Sequence, residues 1–281
     1  MANAQQQQMG MMMAQMNARL NQLEEQVRVK PFAEQIMNCT GVLVKQKANA
    51  LEMLAGMEMP NVYNVYPSIK NGGKKKKEPM LVCKERRELC QSRGNIQLRG
   101  FDQAGENETK ILEMMKPFSC KCPALAPPTM LVHQLSPDGQ RHYIGKICDN
   151  WDCTQHSFSI FDDKDTEIYS VFGECCQCNW GTVTFDLWKG HKEVRLPQRL
   201  VRTPKSFAHA AMGSDADNFD VGFPDGAPYN HRVLLMALAL MVDIQLFETH
   251  AADQHRHGSH GYGYGSRYGR RGYGSSWGDS F

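Results

Sequence analysis

The chain has 281 residues, of which 41% are hydrophobic and 22% charged, and its formal net charge is +2 at pH 7. This length suits one substantial domain with tails, and the near-balanced charge gives no global field that would favour nucleic acid or an acidic substrate. The N-terminal stretch lacks the basic segment, continuous apolar core and cleavage site of a secretory signal. We therefore expect a protein on the cytosolic side, whose ten cysteines are free thiols, metal ligands or acylation sites rather than disulfides.

The first 30 residues form a low-complexity segment that is rich in Gln and Met. Four apolar residues in it follow the spacing of a short amphipathic helix, namely Met16, Leu20, Leu23 and Val27. Polar tracts of this kind bury too little apolar surface to fold alone, so we interpret residues 1–30 as a tail. The folded domain is expected to span residues 31–250.

The front of this domain combines a strand with a basic loop. The run VLVKQKANALEMLAG predicts a short strand and one turn of helix, and NGGKKKKEP predicts a loop. The loop carries four consecutive lysines, Lys74, Lys75, Lys76 and Lys77. At an anionic leaflet each lysine would add about 1 kcal/mol of attraction. A nuclear import signal and a solvated loop are the alternatives.

The middle of the chain has the periodicity of strands. MLVHQLS, the turn residues Pro137 to Gly139 and QRHYIGKI predict one hairpin, and FSIFDDKDTEIYSVF predicts a second with its tip at Asp162 to Asp165. In TVTFDLW, Val183, Phe185 and Leu187 alternate with polar residues, which places the apolar set on one face of a half-buried strand. Short strands separated by polar turns predict a barrel or a sandwich.

The cysteines of this region allow a metal site as an alternative. Five of them could serve as zinc ligands: Cys148, Cys153, Cys175, Cys176 and Cys178. Paired C-x-x-C knuckles at ribbon spacing are missing, so buried thiols in strands are the favoured interpretation. The sequence also lacks a nucleophile elbow, a phosphate loop and an H-E-x-x-H motif, and we expect no covalent catalysis.

The acidic stretch SDADNFDVGFPDG invites comparison with a calcium loop. An EF-hand places oxygen ligands at positions 1, 3 and 5, glycine at 6 and glutamate at 12. Counted from Asp215, these last three positions hold Phe219, Asp220 and Gly226, so the stretch is no EF-hand. Asp220 and Asp225 could still help to gather a hard cation with a dissociation constant on the order of 10⁻⁴ to 10⁻³ M. From the spacing alone, an ordinary Asp/Asn/Gly turn is the favoured interpretation.

One emphatic helix is predicted from Asn230 to Glu248. Its only long apolar run is Val233 to Val242, and Asp243 and Gln245 then lie on different faces of the helical wheel. A helix that spans a bilayer needs roughly 20 mostly apolar residues. We therefore favour a helix buried inside the barrel over a transmembrane helix.

Beyond this helix, residues 251–281 consist largely of Gly, Tyr, Arg and His with hardly any aliphatic residue. Such a segment cannot bury a core, and a solvated tail is the favoured interpretation. Stacking of its tyrosines and arginines on bases or on one another, which would give RNA or protein contacts including self-association, is the alternative.

Several motifs, in order, resemble those of the phospholipid scramblase family. DADNFDVGFP followed by an apolar helix ending in VDIQLFE resembles the family's C-terminal signature. Further resemblance is carried by VLVKQKANALEMLAGMEMPNVYNVY, MMKPFSCKC, IGKICDNWD, FSIFDD and FGECCQCNWGTVTF. The resemblance runs from about Phe32 to His250, which is nearly the whole predicted domain.

This resemblance implies a mainly β, tubby-like fold, in which a closed antiparallel barrel of about twelve strands surrounds the hydrophobic C-terminal helix. It also implies calcium-responsive, ATP-independent, bidirectional movement of phospholipids between bilayer leaflets, with palmitate as a covalent anchor. The expected location is the cytoplasmic face of the plasma membrane, at an anionic inner leaflet. Other endomembranes and the nucleus are the alternatives.

The family's functional segments can be carried over by position. The residues expected to ligate calcium are Asp215, Asp217, Phe219, Val221, Phe223 and Asp225. Gly226 stands where the family usually has an acidic residue, which is a departure from the pattern. The cysteine cluster is thinner than the family's and falls on Cys120 and Cys122. Two palmitates, or one beside the lysine loop, are the minimum for a stable anchor.

Two functions of different class are consistent with the sequence. In the first, a phospholipid scramblase, calcium at the acidic stretch alters how the C-terminal helix is held. In the second, a palmitoyl-anchored adaptor or lipid-binding signalling protein, the helix never leaves the barrel and no scrambling occurs. The shortness of the helix and its internal Asp243 favour the adaptor, whereas the resemblance favours the scramblase.

Overall fold

The computed structural model describes residues 12–13, 16, 31–47, 60–68, 78–86, 96–103, 108–117, 127–150, 155–174, 181–203 and 218–248. Met12, Met13 and Met16 are helical and exposed. The rest of the two predicted tails, the helical turn predicted in ANALEMLAG and the lysine loop lie outside the described residues.

From residue 31 onward, the described chain contains a short helix, twelve strands and a long C-terminal helix. Helix α1 spans Phe32–Asn38, and helix α2 spans Tyr229–Val242 and continues as a π-helix over Asp243–Glu248. The strands are β1 (Gly41–Lys47), β2 (Val62–Ser68), β3 (Leu81–Arg86), β4 (Ile96–Asp102), β5 (Thr109–Lys116), β6 (Thr129–Leu135), β7 (Arg141–Asn150), β8 (Gln155–Phe161), β9 (Glu167–Glu174), β10 (Val183–Lys189), β11 (Val194–Thr203) and β12 (Asn218–Gly222).

The twelve strands form a closed antiparallel barrel. Strands that follow one another in the chain are also neighbours in the sheet, and β1 closes the ring between β2 and β12. Closure gives each of these twelve strands a partner on both sides, so none of them is an edge strand. The predicted fold class, a mainly β barrel with a C-terminal apolar helix, is confirmed.

Both predicted hairpins are present, each with a turn that its residues explain. Between β6 and β7, Gly139 has a φ of 82°, in the left-handed region that glycine tolerates, and its N–H donates to the carbonyl of Ser136. Between β8 and β9, the carboxylate of Asp162 accepts hydrogen bonds from the N–H groups of Lys164 and Thr166. The acidic tip of the second hairpin is therefore an Asp-stabilised turn.

The alternation predicted around TVTFDLW is also confirmed. Val183, Phe185 and Leu187 are buried on the inner face of β10, and Asp186 lies on its outer face, where it pairs with Arg195 and Arg199. The inner faces of the strands thus supply an apolar lining, and the outer faces carry the charge.

Helix α2 fills the barrel. Every residue from Val233 to Val242 is at most 1% exposed, and all of them belong to one core cluster with inward side chains of the strands, such as Phe158 and Phe185. A helix that is apolar on all sides must be enclosed by protein or lipid. Here the wall of the barrel encloses it.

Candidate functional site

Helix α2 is also a candidate membrane span by length and composition. The segment Tyr229–Phe247 has 19 residues and is apolar enough to cross a bilayer, but 72% of its 18-residue apolar window is buried inside the structure. The core helix of a soluble protein passes the same test. The polar contacts at the two ends of the helix therefore decide how firmly the barrel holds it.

The first end is held by Arg232, which is only 8% exposed. Its Nη1 donates to the carbonyls of Ile36, Met37 and Cys39 at 2.8–3.0 Å, and its Nε donates to that of Ala227 at 2.8 Å. Three of these carbonyls are orphan acceptors at or just after the C-terminal end of α1. Arg232 thus fastens α1 to α2 through charge-assisted hydrogen bonds.

The other end is held by two polar residues that interrupt the apolar pattern of the sequence. Asp243 is 1% exposed, and its Oδ2 accepts a hydrogen bond of 2.8 Å from the hydroxyl of Tyr63 on β2. Gln245 is buried as well. Just beyond, the guanidinium of Arg202 lies 3.8 Å from the ring centroid of Phe247, a cation–π contact. Polar groups therefore hold one end of the helix to α1 and the other end to the wall of the barrel.

The segment expected to ligate calcium becomes part of the barrel. Phe219, Val221 and Phe223 are buried with their side chains in the core, whereas Asp225 is exposed. Asp215 and Asp217 lie outside the described residues. The centre of the acidic stretch is thus strand β12 rather than a loop.

Strand β12 is paired on both sides. Val221 lies opposite Val42 of β1 and Leu200 of β11, and the pairing continues through Asp220. A strand between two neighbours uses its backbone carbonyls in the ladder, whereas calcium takes six to eight oxygen ligands. In the part of the chain that the structure describes, no group of three or more His, Cys, Asp or Glu residues could hold a metal ion.

The described residues alone therefore do not make a calcium shell. Asp220 and Asp225 are both exposed, and a shell would need the carboxylates of Asp215 and Asp217 in addition. Calcium ligation by this segment stays a prediction.

The described cysteines are buried free thiols. They are Cys39, Cys83 and Cys148. Burial raises the pKa of Cys83 to about 12, and burial likewise raises the pKa of Cys148. A thiol with a raised pKa is a poor nucleophile and a poor metal ligand, because both roles require the thiolate. Cys120, Cys122 and the other four cysteines of the zinc alternative lie outside the described residues.

A polar cluster on the outer wall around Glu113 was not predicted from the sequence. The side chain of Glu113 is fully buried, with Lys110 Nζ and Arg141 Nε each 2.8 Å from its carboxylate oxygens and Gln97 Nε2 at 2.6 Å. Desolvation acts to raise the pKa of Glu113, but Lys110, Arg141 and Arg99 together lower it. The alternation in ILEMMK places Glu113 on the outer face, yet its partners come from three strands and cannot be inferred from one segment.

Comparison with known proteins finds one matching family model and several relatives of low sequence identity. A family model described as Scramblase matches residues 3–249. Phospholipid scramblase 1 of Homo sapiens is 23% identical over 229 residues, which cover 81% of this chain and 69% of the relative. Phospholipid scramblase 2 of Homo sapiens is 22% identical over 220 residues, 78% of this chain and 71% of the relative. Phospholipid scramblase family member 5 of Homo sapiens is 20% identical, with 79% of each chain covered. No solved structure matches the chain.

Proposed function

The chain belongs to the Scramblase family, and from this membership we propose that it is a phospholipid scramblase, which moves phospholipids between the two leaflets of a bilayer. The observation that carries the proposal is the extent of the match, because residues 3–249 include the complete barrel and its enclosed helix. The named human relatives are phospholipid scramblases. Each phospholipid would move down its own concentration gradient, in either direction between the leaflets, so the movement needs no ATP. No covalent step is proposed.

We propose that the barrel stays closed around α2 while lipids move. Withdrawal of the helix would deprive Arg232 of its three carbonyl acceptors in and after α1, and Asp243 of the Tyr63 hydroxyl. It would also leave the apolar lining of the barrel without its filling. A lipid headgroup would then cross along the outer surface of the barrel, where polar side chains can replace part of its hydration.

Calcium is proposed as a weak regulator of this movement. Asp215, Asp217 and Asp225 would supply its carboxylates, with Asp220 on the outer face of β12 close in sequence. Strand β12 lies between β1 and β11, and its pairing with β1 closes the barrel. A cation bound beside β12 would therefore affect the pairing of these two strands. Few carboxylates and an incomplete loop place the site in the weakest calcium class, with a dissociation constant on the order of 10⁻⁴ to 10⁻³ M.

Membrane attachment is proposed through palmitate on Cys120 and Cys122, assisted by the lysines at 74–77, at the cytoplasmic face of the plasma membrane. A single acyl chain binds a membrane only marginally, so both cysteines are needed or one together with the basic loop. Cys120→Ala with Cys122→Ala should move the protein to the soluble fraction of cells. The matched control is Cys175→Ala with Cys176→Ala, and a double mutant at 120 and 122 that stays on membranes would contradict the anchor.

A palmitoyl-anchored adaptor without scrambling is the second candidate. The observation that favours it is the fixation of α2, which is buried and has polar contacts at both ends. A helix held in this way need not enter the bilayer. The adaptor would use the outer wall of the barrel to bind anionic lipids or proteins.

Leaflet exchange of a fluorescent phospholipid separates the two functions. The full-length protein is placed in liposomes with and without millimolar calcium, and wild type is compared with Asp215→Ala/Asp217→Ala. The matched control removes two exposed carboxylates elsewhere, as Glu78→Ala/Asp163→Ala. Calcium-dependent exchange that only the first double mutant loses is the expected result. Exchange no faster than in protein-free liposomes would exclude intrinsic scrambling and leave the adaptor.

A further inference from the structure

The outer wall carries a polar groove that the proposed function has not used. Its volume is about 430 Å³, which lies in the range of small-molecule sites. It runs across strands β7, β8 and β9 and reaches the turn between β10 and β11. Its polar walls are formed by Asn150, Ser157, Ser159, Glu167, His191 and Lys192.

One wall of the groove presents an oriented carboxylate. The hydroxyl of Ser159 donates to Glu167 Oε1 at 2.8 Å, and His191 Nδ1 lies 3.1 Å from Glu167 Oε2. Asn150 Nδ2 donates to Ser159 Oγ at 2.8 Å and to Ser157 Oγ at 3.1 Å, so the hydroxyls are positioned in turn. A carboxylate has about four acceptor sites, and these contacts leave capacity for a further donor.

Another part of the lining presents an ammonium group. Lys192 Nζ lies 3.9 Å from the ring centroid of Phe172, and among the described residues it forms no ion pair with a carboxylate. Lys192 has a φ of 58°, which is unusual for a residue other than glycine. Its N–H donates to Ser170 Oγ, whose hydroxyl donates to the carbonyl of Gly190. The turn that carries Lys192 is thus fixed in a strained conformation, and Lys192 forms part of the groove lining.

A negative group and a positive group on the walls of one groove fit a small zwitterion. Glu167 would accept N–H bonds from a primary ammonium, and Lys192 would bind a phosphate as a point charge. A quaternary ammonium has no N–H to donate and prefers an aromatic face. The two rings that line the groove, Phe161 and Phe172, already carry the ammonium groups of Lys146 and Lys192. The groove therefore favours a primary amine.

We propose that this groove binds a primary ammonium–phosphate zwitterion, the headgroup chemistry of an aminophospholipid. The proposal rests on the proposed function in one respect, namely that the zwitterion is carried by a membrane lipid rather than by a soluble phosphomonoester. If it is, the groove gives the outer wall of the barrel a headgroup preference. The groove was not predicted from the sequence; the signal that could indicate it is the alternation of Ser157 and Ser159 in QHSFSIF, which places two hydroxyls on one face of β8.

Binding of soluble headgroups to the full-length protein tests the site first. O-phosphoethanolamine, phosphocholine and inorganic phosphate are titrated by calorimetry into wild type, Glu167→Gln and Lys192→Met. The matched controls are Glu78→Gln and Lys47→Met, at exposed positions on the other side of the barrel. The Gln and Met side chains keep the shape of the originals, and circular dichroism verifies folding.

Glu167→Gln should weaken phosphoethanolamine binding at least about tenfold, as expected for loss of a charge-assisted hydrogen bond, and leave phosphate binding unchanged. Lys192→Met should weaken both. Equal affinity for phosphocholine and phosphoethanolamine, or equal effects of the control variants, would overturn the proposal.

Vesicles separate the two sources of the zwitterion. Phosphatidylcholine vesicles are compared with equimolar phosphatidylcholine and phosphatidylethanolamine vesicles, both for sedimentation of the protein and for leaflet exchange of each labelled lipid. If the wild type prefers the mixed vesicles and Glu167→Gln abolishes this preference, the bound zwitterion is a lipid headgroup. If the protein binds only the soluble zwitterion and shows no vesicle preference, the lipid is excluded as its source. If Glu167→Gln leaves the leaflet exchange of both lipids unchanged, the groove has no role in headgroup preference, and the proposed scramblase function is unaffected. Headgroup binding without any exchange would refute scrambling while the groove stands.

Discussion

Arg232 shows how one charged residue can position a helix that is otherwise apolar. Its side chain is buried and meets four backbone carbonyls, three of them nearly 200 positions earlier in the chain. Buried carbonyls without a donor are costly, so these acceptors depend on the guanidinium. The residue therefore joins α1, near the start of the domain, to the helix that ends it.

Arg232→Met should lower the free energy of unfolding by about 3 kcal/mol or more, because it removes charge-assisted hydrogen bonds and leaves buried acceptors unsatisfied. Chemical denaturation of the full-length protein measures this change. The matched control is Arg195→Met, whose exposed ion pair with Asp186 should contribute less than about 1 kcal/mol. Equal losses for the two variants would contradict a special role for Arg232.

Glu113 predicts a loss of stability in mild acid. Desolvation opposes its ionisation, yet Lys110, Arg141 and Arg99 hold its pKa below the ordinary value of 4.5. Because the pKa is lower in the folded protein than in the unfolded chain, the stabilisation is fully present above about pH 4.5 and is lost as the pH falls through the folded value. Unfolding curves between neutral pH and about pH 3 should therefore be less pH-dependent in Glu113→Gln. Glu78→Gln, at an exposed position, should keep the wild-type profile.

At the scale of elements, helix α2 can be tested as a core helix in the absence of any membrane. Leu240 is 0% exposed, and truncation of a buried leucine leaves a cavity that costs about 2–5 kcal/mol. Leu240→Ala should show this loss in detergent-free buffer, by chemical denaturation. Val194→Ala, at an exposed apolar residue, should change stability by less than about 0.5 kcal/mol. A Leu240→Ala protein as stable as wild type would mean that the barrel does not hold the helix.

Local patterns are sufficient to predict the elements whose signal lies within one segment. The two hairpins and strand β10 follow from turn residues and period-two alternation, and α2 follows from its apolar run. Strand β12 is harder to predict, because its aspartates suggest calcium ligands in a loop or an ordinary turn. Phe219, Val221 and Phe223 in fact alternate with Asp220 and Gly222, which is the pattern of a strand.

Contacts between distant segments cannot be predicted in the same way. Three of the four partners of Arg232 lie in and just after α1, and the Tyr63 partner of Asp243 lies on β2, 180 positions away. The groove likewise combines β7, β8 and β9 with the turn after β10. Such sites form only when the strands have paired and α2 is enclosed, because their residues come from different segments of the chain.

At the scale of the whole molecule, barrel and helix form one core. Within the described residues, the inward side chains of the strands and α2 supply most of the apolar filling of the ring. The buried Val, Leu and Met side chains of the helix contribute about 1.5–3 kcal/mol each. Their combined contribution matches or exceeds the total stability of about 5–15 kcal/mol that is usual for a domain. The barrel is therefore not expected to persist without the helix.

A chain that ends at Pro228 should lose its cooperative thermal transition and its near-ultraviolet circular dichroism, whereas a chain that ends at His250 should keep both, since it retains α2 and the π-helix. If the shorter chain unfolds cooperatively, the barrel is stable without α2. The helix could then enter a bilayer without unfolding the barrel. That result would favour scrambling through an inserted helix. Loss of the transition would instead favour passage of lipids along the outside of a closed barrel, where the groove lined by Glu167 and Lys192 lies.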